Sequence, residues 1–509
     1  MTDLALRLLR QDRHLAELAA FPFDFDLDRA ARGHCEPVRL ASGGPLEVVA
    51  GDDTGGTYFV CADGSVLYAD SEGSAGIIGA SVDEALDILT GLPGWHDYLG
   101  LSPADGPEKI LAHVAETEEE LRECYGIDEE RAELRAALGF PERSPVELVG
   151  MLHAALSRTE PDFVLLNAEE GLAHRPLAPD VRPPLWEPVL ARGRADLAGL
   201  RTGDTGVLAA VADDPVRRRV TLRAAQFDRA DGDLAFLRPL LRREAESSMS
   251  DELRLAAVLV GLHGDTADLP LLHEVRNTDF DTRCGLGEIP EPDAGGEELR
   301  RWAREVDDCL FGTDPADEPL STWTGLAADQ GLTELARVAL IRRLDEIAMN
   351  QSALRRRPGS RQLDTSPLRS LAHDFECLGD LWQAVRAQRL YVALQDTPGD
   401  RVSARLTQAR LERESGEPDR AADALSALRD VLAGPTDDSL RHWRGTNLGT
   451  FLAEEHFRLA RALADAGRPE QARAVLAAGE EIRDELSQAA AWAVRELAAD
   501  ASARIGKLS

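Results

Sequence analysis

Residues 46–92 read LEVVAGDDTGGTYFVCADGSVLYADSEGSAGIIGASVDEALDILTGL, the one stretch in which the apolar pattern turns from helical to strand-like. Val48 and Val49, then Tyr58, Val60 and Cys61, then Val66, Leu67 and Tyr68 form short β-branched and aromatic runs between Gly and Asp clusters. That is the pattern of an antiparallel β-meander. Gly51, Gly55 and Gly56 supply one turn, and Asp63-Gly64 is a strong hairpin signal for the next. After a third break at Glu72–Gly76, Ile77 and Ile78 continue the sheet. Ser81, with Glu84 three residues on, reads as the N-cap of a short helix to about Thr90. Its stripe of Ala85, Leu86, Leu89 and Leu92 suits one face of the sheet.

A strand ending in a Gly/Asp-rich loop, an aromatic strand, a DG turn, a further strand and a helix opening SVDEAL together resemble the SUKH superfamily. The likeness is carried by VVAGDDTGGTYFVCADGSVLYADSEGSAGIIGASVDEALDIL and covers roughly residues 1–100, about a fifth of the chain. The family includes a fungal cell-wall regulator and many bacterial immunity proteins that neutralise secreted toxins. The resemblance implies a binding scaffold with no shared catalytic residues.

Upstream, Leu4, Leu8, Leu15 and Leu18 predict one amphipathic helix to about Ala20, and the alternation of Phe21, Phe23, Phe25 and Leu27 with Pro22 and acids predicts an extended segment. Asp24, Asp26 and Asp28 imitate the start of a calcium loop, but Arg29 and Cys35 stand where the turn Gly and bidentate Glu are needed, so calcium is rejected. Gly51 and Gly56 have phosphate-loop spacing, yet Thr57 and Tyr58 replace its Lys and Ser/Thr, which removes nucleotide binding. Downstream, Pro107–Ser157 is helical in pattern, with a capping box at Thr117 and Glu120 and a solvated acidic face over Glu116–Glu123. Phe163–Leu166 adds a short strand. The proline-rich passage Arg175–Pro188 prevents regular structure and marks a domain boundary.

Beyond it the pattern is helical and repetitive. The units from Pro215 and Asp251 align at an offset of 35 residues, pairing Asp233 with Asp268 and Leu237 with Leu272, and they resemble HEAT-type repeats. Within them Arg217, Arg218, Arg219 and Arg223 read as solvated charges. Asp279–Gly296 reads as a loop, and Arg355–Arg361 as a basic linker. Nearer the C-terminus, Ala409, Gly416, Pro418 and Ala421 recur as Ala460, Gly467, Pro469 and Ala472, with a third copy through Ala372, Gly379 and Ala384. These resemble tetratricopeptide repeats, with spacings of 37 and 51 residues against the usual ~34 and an insertion at Gly434–Gly449.

The expected architecture is multidomain: a small α+β module over 1–170, HEAT-like helical repeats over 185–350, and tetratricopeptide-like repeats over 365–509. At 509 residues, with 43% hydrophobic and 29% charged residues, the chain has a folded composition and is too long for one core. The longest apolar run, Ala256–Leu262, is too short to span a bilayer, and the N-terminus lacks a signal-peptide core, which predicts a cytoplasmic protein. Only two lysines, Lys109 and Lys507, against many arginines point to a GC-rich bacterial genome. Six cysteines without a C-x-x-C pair predict reduced, mostly buried thiols and no zinc-finger spacing.

Net charge is −34. Residues 1–150 hold 11 basic and 30 acidic side chains, a balance of −19, while residues 351–509 hold 23 and 24. Such a field opposes nucleic acid and anionic membranes and favours a basic protein partner. Candidate binding residues are the acidic turn positions Asp52, Asp53, Asp70 and Glu72 with the aromatic residues Tyr58 and Trp95. The sequence offers no catalytic, metal or cofactor motif, and an interaction protein of immunity type is the expected function. A peptide-binding adaptor acting through the C-terminal repeats is the second reading. An enzyme of unrecognised type is the third, and it would need a deep polar pocket with shifted pKa values within residues 1–170.

Overall fold

The computed structural model describes residues 4–178, 182–247, 249–355, 363–434 and 440–507. The chain divides into two compact units, Met1–Ala339 and Leu340–Ser509. The first begins with an α+β region and continues as helices; the second is helical. Of the basic linker, all but Arg355 lies outside the described residues, as does part of the Gly434–Gly449 insertion and of the proline-rich boundary.

The meander forms as its sequence predicts. Strands β2 (Leu46–Gly51), β3 (Thr57–Cys61), β4 (Val66–Ala69) and β5 (Ser74–Gly79) pair antiparallel in chain order. Tyr58 faces Tyr68 and Phe59 faces Leu67 across β3 and β4. Gly64 and Gly73 take φ of 92° and 85° in the connecting turns, conformations that side chains with a Cβ resist. Because successive residues point to opposite faces, each strand feeds two cores. Val49, Tyr58, Val66, Tyr68 and Ile78 join the helical core, and Phe59, Cys61, Leu67 and Ile77 join a smaller one behind the sheet. Each such fully buried side chain contributes about 1.5–3 kcal/mol.

Helix α3 (Val82–Gly91) starts at Ser81, whose hydroxyl accepts the Glu84 amide at 3.1 Å, while Glu84 accepts the Ala80 amide at 3.3 Å. Its whole apolar stripe is buried. The strands β1 (Val38–Leu40), β6 (Leu165–Asn167) and β7 (Arg175–Pro176) complete the region. β1 and β6 pair antiparallel behind the main sheet, and β7 adds a parallel edge beside β5, so the first two residues of the proline-rich passage are regular after all.

Three local expectations are corrected. The N-terminal helix is two, α1 (Leu4–Gln11) and α2 (Arg13–Ala20), because Asp12 caps the second by accepting the His14 amide at 3.0 Å. Thr117 and Glu120 cap nothing, since helix α4 (Pro107–Tyr125) runs through them. It is followed by α5 (Ile127–Leu138) and α6 (Pro145–Leu156). Among the described cysteines, Cys35, Cys284, Cys309 and Cys377 are exposed and only Cys61 is buried.

The two units aligned at 35 residues fold alike. Pro215–Phe227 and Asp251–His263 are each followed by a 3-10 turn ending at Asp233 or Asp268, then by Leu234–Glu244 or Leu269–Arg276. Both aspartates are 2% exposed. Each is clamped by an arginine of an earlier helix: Arg201 reaches Asp233 at 2.9 Å and Arg238 reaches Asp268 at 2.5 Å. The Arg217–Arg223 cluster is not solvated. Arg218 bonds the buried Glu244 at 2.7 Å, Arg219 the same carboxylate at 2.8 Å, and Arg223 bonds Glu252 at 2.8 Å.

In the second unit, Ser366–Cys377 with Leu381–Ala393, Pro398–Glu414 with Pro418–Ala433, and Asn447–Asp465 with Pro469–Asp484 form three helical hairpins. Gly379, Gly416 and Gly467 turn them with φ of 73°, 85° and 72°. Ala372, Ala409 and Ala460 are buried where the paired helices approach, as are Ala384, Ala421 and Ala472.

Candidate functional site

The loop joining β2 to β3 is organised by Asp52. Its carboxylate accepts the Gly56 amide at 2.8 Å, the Thr54 amide at 2.8 Å, the Thr54 hydroxyl at 2.9 Å and the Tyr68 hydroxyl at 2.5 Å. Burial works to raise this carboxyl, but the hydrogen bonds outweigh it and hold it below the usual aspartate value. A side chain at Gly56 would collide with both Asp52 and the Tyr68 ring. Asp70 does the same for the β4–β5 loop by accepting the Glu72 and Ser74 amides at 2.9 and 2.8 Å. The two loops meet where Ser71 donates to the Thr54 carbonyl at 3.2 Å.

The six sequence candidates therefore separate by exposure. Asp52, Tyr58 and Trp95 are 2%, 0% and 2% exposed, so they cannot meet a partner directly. Tyr58 and Trp95 belong to an internal aromatic cluster with Phe25, Tyr68 and His96, in which Tyr68 lies 4.9 Å from Tyr58 and 5.0 Å edge-on from Trp95. Asp53 and Glu72 are exposed on the two adjoining loops, with Asp70 half-buried between them. Asp53 pairs with Arg29, and Arg175 donates to the Glu72 carbonyl at 3.4 Å. Inside this cluster the buried Tyr58 hydroxyl has the Trp95 indole as its polar neighbour. Beside this cluster, burial and the neighbouring charges of Asp52 and Asp53 push Asp24 up to about 6, against the opposing pull of Arg29.

Sequence reading missed the exposed surface features. Phe21 and Tyr125 are 52% and 53% exposed and pack edge to face at 5.4 Å. Tyr125 ends α4, along which Glu116, Glu119, Glu120 and Glu123 face solvent, as the acidic stretch predicts. Glu118 is the exception: it is buried, bonding Arg122 and Arg131 at 2.5 and 2.8 Å. A groove of about 730 Å³ lies between α1, α2 and β2, lined by charges of both signs, among them Arg10, Arg13, Glu17 and Asp28.

A second cluster was also missed. His34, Glu36 and His174 offer three ligand atoms that lie within 4.8 Å of one another. His174 Nε2 is 3.0 Å from Glu36 Oε1, and Asn167 donates to Glu36 Oε2 at 2.7 Å. Burial, joined for His34 by repulsion from His174, lowers both imidazoles from their ordinary value. His34 and Glu36 show a His-x-Glu spacing, but the third member lies 138 residues beyond Glu36. No helix among the described residues is long and apolar enough to cross a membrane. No family model, curated protein or solved structure matches the chain.

Proposed function

We propose that the chain is a protein-binding protein of immunity type, whose acidic N-terminal module occludes the working surface of a basic toxin or enzyme while the helical repeats serve as scaffold. The observation that carries this reading is the segregation of charge, −19 over residues 1–150 against near neutrality over 351–509. Exposed acids along α4 end in the Phe21–Tyr125 pair, which combines electrostatic steering with an apolar anchor of the type that dominates interface energetics. The likeness to the SUKH superfamily supports the same reading, as does the absence of a catalytic motif in the sequence. A bacterial, cytoplasmic setting fits the composition.

The test uses the full chain as bait in a lysate of its source cells at low and high salt, beside a variant carrying Glu116→Gln, Glu119→Gln, Glu120→Gln and Glu123→Gln. A basic protein retained at low salt, released by salt and lost with the variant supports the proposal. A partner held equally by both baits at both salt levels contradicts it. That second result would favour an adaptor binding peptides through the C-terminal repeats over 365–509, where Phe451 and Trp492 are 54% and 65% exposed.

A further inference from the structure

The pairing of β1 with β6, with Val38 opposite Asn167, draws together two segments far apart in sequence. His34 and Glu36 lie on the segment entering β1, and His174 lies between β6 and β7. We propose that His34, Glu36 and His174 form a binding site for one borderline divalent transition-metal ion of the zinc class.

The donor set is the first argument. Two imidazoles and one carboxylate suit zinc and its neighbours, whereas calcium and magnesium take shells of oxygen. Spacing is the second. Around a tetrahedral ion with bonds of about 2.0–2.1 Å, ligand atoms sit roughly 3.3 Å apart. The side chains therefore need only small rotations from separations that now run from 3.0 Å to at most 4.8 Å.

Support behind the ligands is the third. Metal-binding groups are held in place by partners on their far sides. Asn167 fixes one oxygen of Glu36 and leaves the other toward His174. Thr57 Oγ1 lies 3.1 Å from His34 Nδ1, and His174 also hydrogen-bonds the Ser74 main chain. With Nδ1 so engaged, Nε2 of His34 is the available donor. His174 is buried while His34 and Glu36 are half-buried, so an ion has a path in. Thr57 and the edge-on ring of Phe59 hold His34 beside the His174–Glu36 pair, so all three ligand side chains are fixed before an ion arrives.

The experiment is titration of untagged, metal-stripped full-length protein with Zn²⁺ in competition with a chromogenic chelator, repeated with Co²⁺ for its visible ligand-field bands. The expected result is one high-affinity equivalent and tetrahedral cobalt bands in the wild type. His34→Gln and Glu36→Gln, with unchanged circular dichroism, should each weaken zinc at least about tenfold. Because the buried His174→Ala can disturb folding, the two half-buried positions carry the decision. Failure of the wild type to bind, or binding unaffected by both substitutions, would overturn the site. This outcome is independent of the protein-binding reading, which does not require a metal.

Discussion

Asp24 offers the sharpest test of the N-terminal region. It adopts a left-handed φ of 57°, and its half-buried carboxyl faces the charges of Asp52 and Asp53. Burial and those charges raise it from 3.8 to about 6. Between these values the folded chain keeps a proton that the unfolded chain has released, so this group's contribution is fully present below the unfolded value and is lost as pH rises through about 6. At about pH 7.5 the ionised carboxylate opposes folding. Taken at face value the shift corresponds to about 3 kcal/mol; discounted for the group's solvent access it becomes about 1–2 kcal/mol. Asp24→Asn keeps the shape, tolerates the left-handed backbone and removes the charge. It should stabilise the first unit by that amount at about pH 7.5, with the gain shrinking toward about pH 4.5. Urea unfolding read by hydrogen exchange over residues 46–79, which lie wholly within this unit, follows the effect. A variant no more stable than the wild type at about pH 7.5, or one whose advantage grows on acidification, would refute the reasoning.

Two further outcomes follow from buried polar groups. Asp52→Ala strands the buried Tyr68 hydroxyl and Gly56 amide and should cost about 2–5 kcal/mol, seen as faster hydrogen exchange across residues 52–79 than elsewhere in the chain. Equal protection in both proteins would contradict the anchoring role. Glu244→Gln leaves Arg218, which is 3% exposed, without its counter-charge and should cost about 3–5 kcal/mol. Hydrogen exchange confined to residues 215–263 is the readout, and unchanged protection there would show that the ion pair carries little.

Much of the fold was legible because local chemistry and global fold agree. The Asp63-Gly64 turn, the Ser81 cap and the Ala-Gly-Pro-Ala spacing each act within a few residues, and each forms as read. β1 and β7, at three and two residues, are too short to show a period, and only pairing with distant strands defines them. Asp12 looks like one polar position in a helical stripe, and its capping role depends on where the chain bends. The arginine cluster misled for a similar reason: its carboxylate partners lie 21 to 29 residues away, beyond any helical spacing.

The site was less legible than the fold. Asp52 and Asp70 are acidic turn residues, as read, but Asp52 uses both carboxylate oxygens within the sheet and its own loop and Asp70 commits Oδ1 to its own loop. Tyr58 and Trp95 are aromatic in a module whose core is aromatic, and burial separates an anchor from a core residue only once the layers are known. The exposed Phe21–Tyr125 pair joins residues 104 positions apart and could not be seen in either segment alone.

The most direct test of the central claim is zero-length carbodiimide cross-linking of the full chain in its native lysate, with the joined peptides mapped by mass spectrometry. The chain has two lysines, so its many carboxylates couple mainly to lysines of a basic partner. The account predicts links from Asp53, Glu72 and the α4 glutamates Glu116, Glu119, Glu120 and Glu123 to one basic protein, abolished by salt. Links confined to residues 340–509, or none from the first 150 residues, would contradict it.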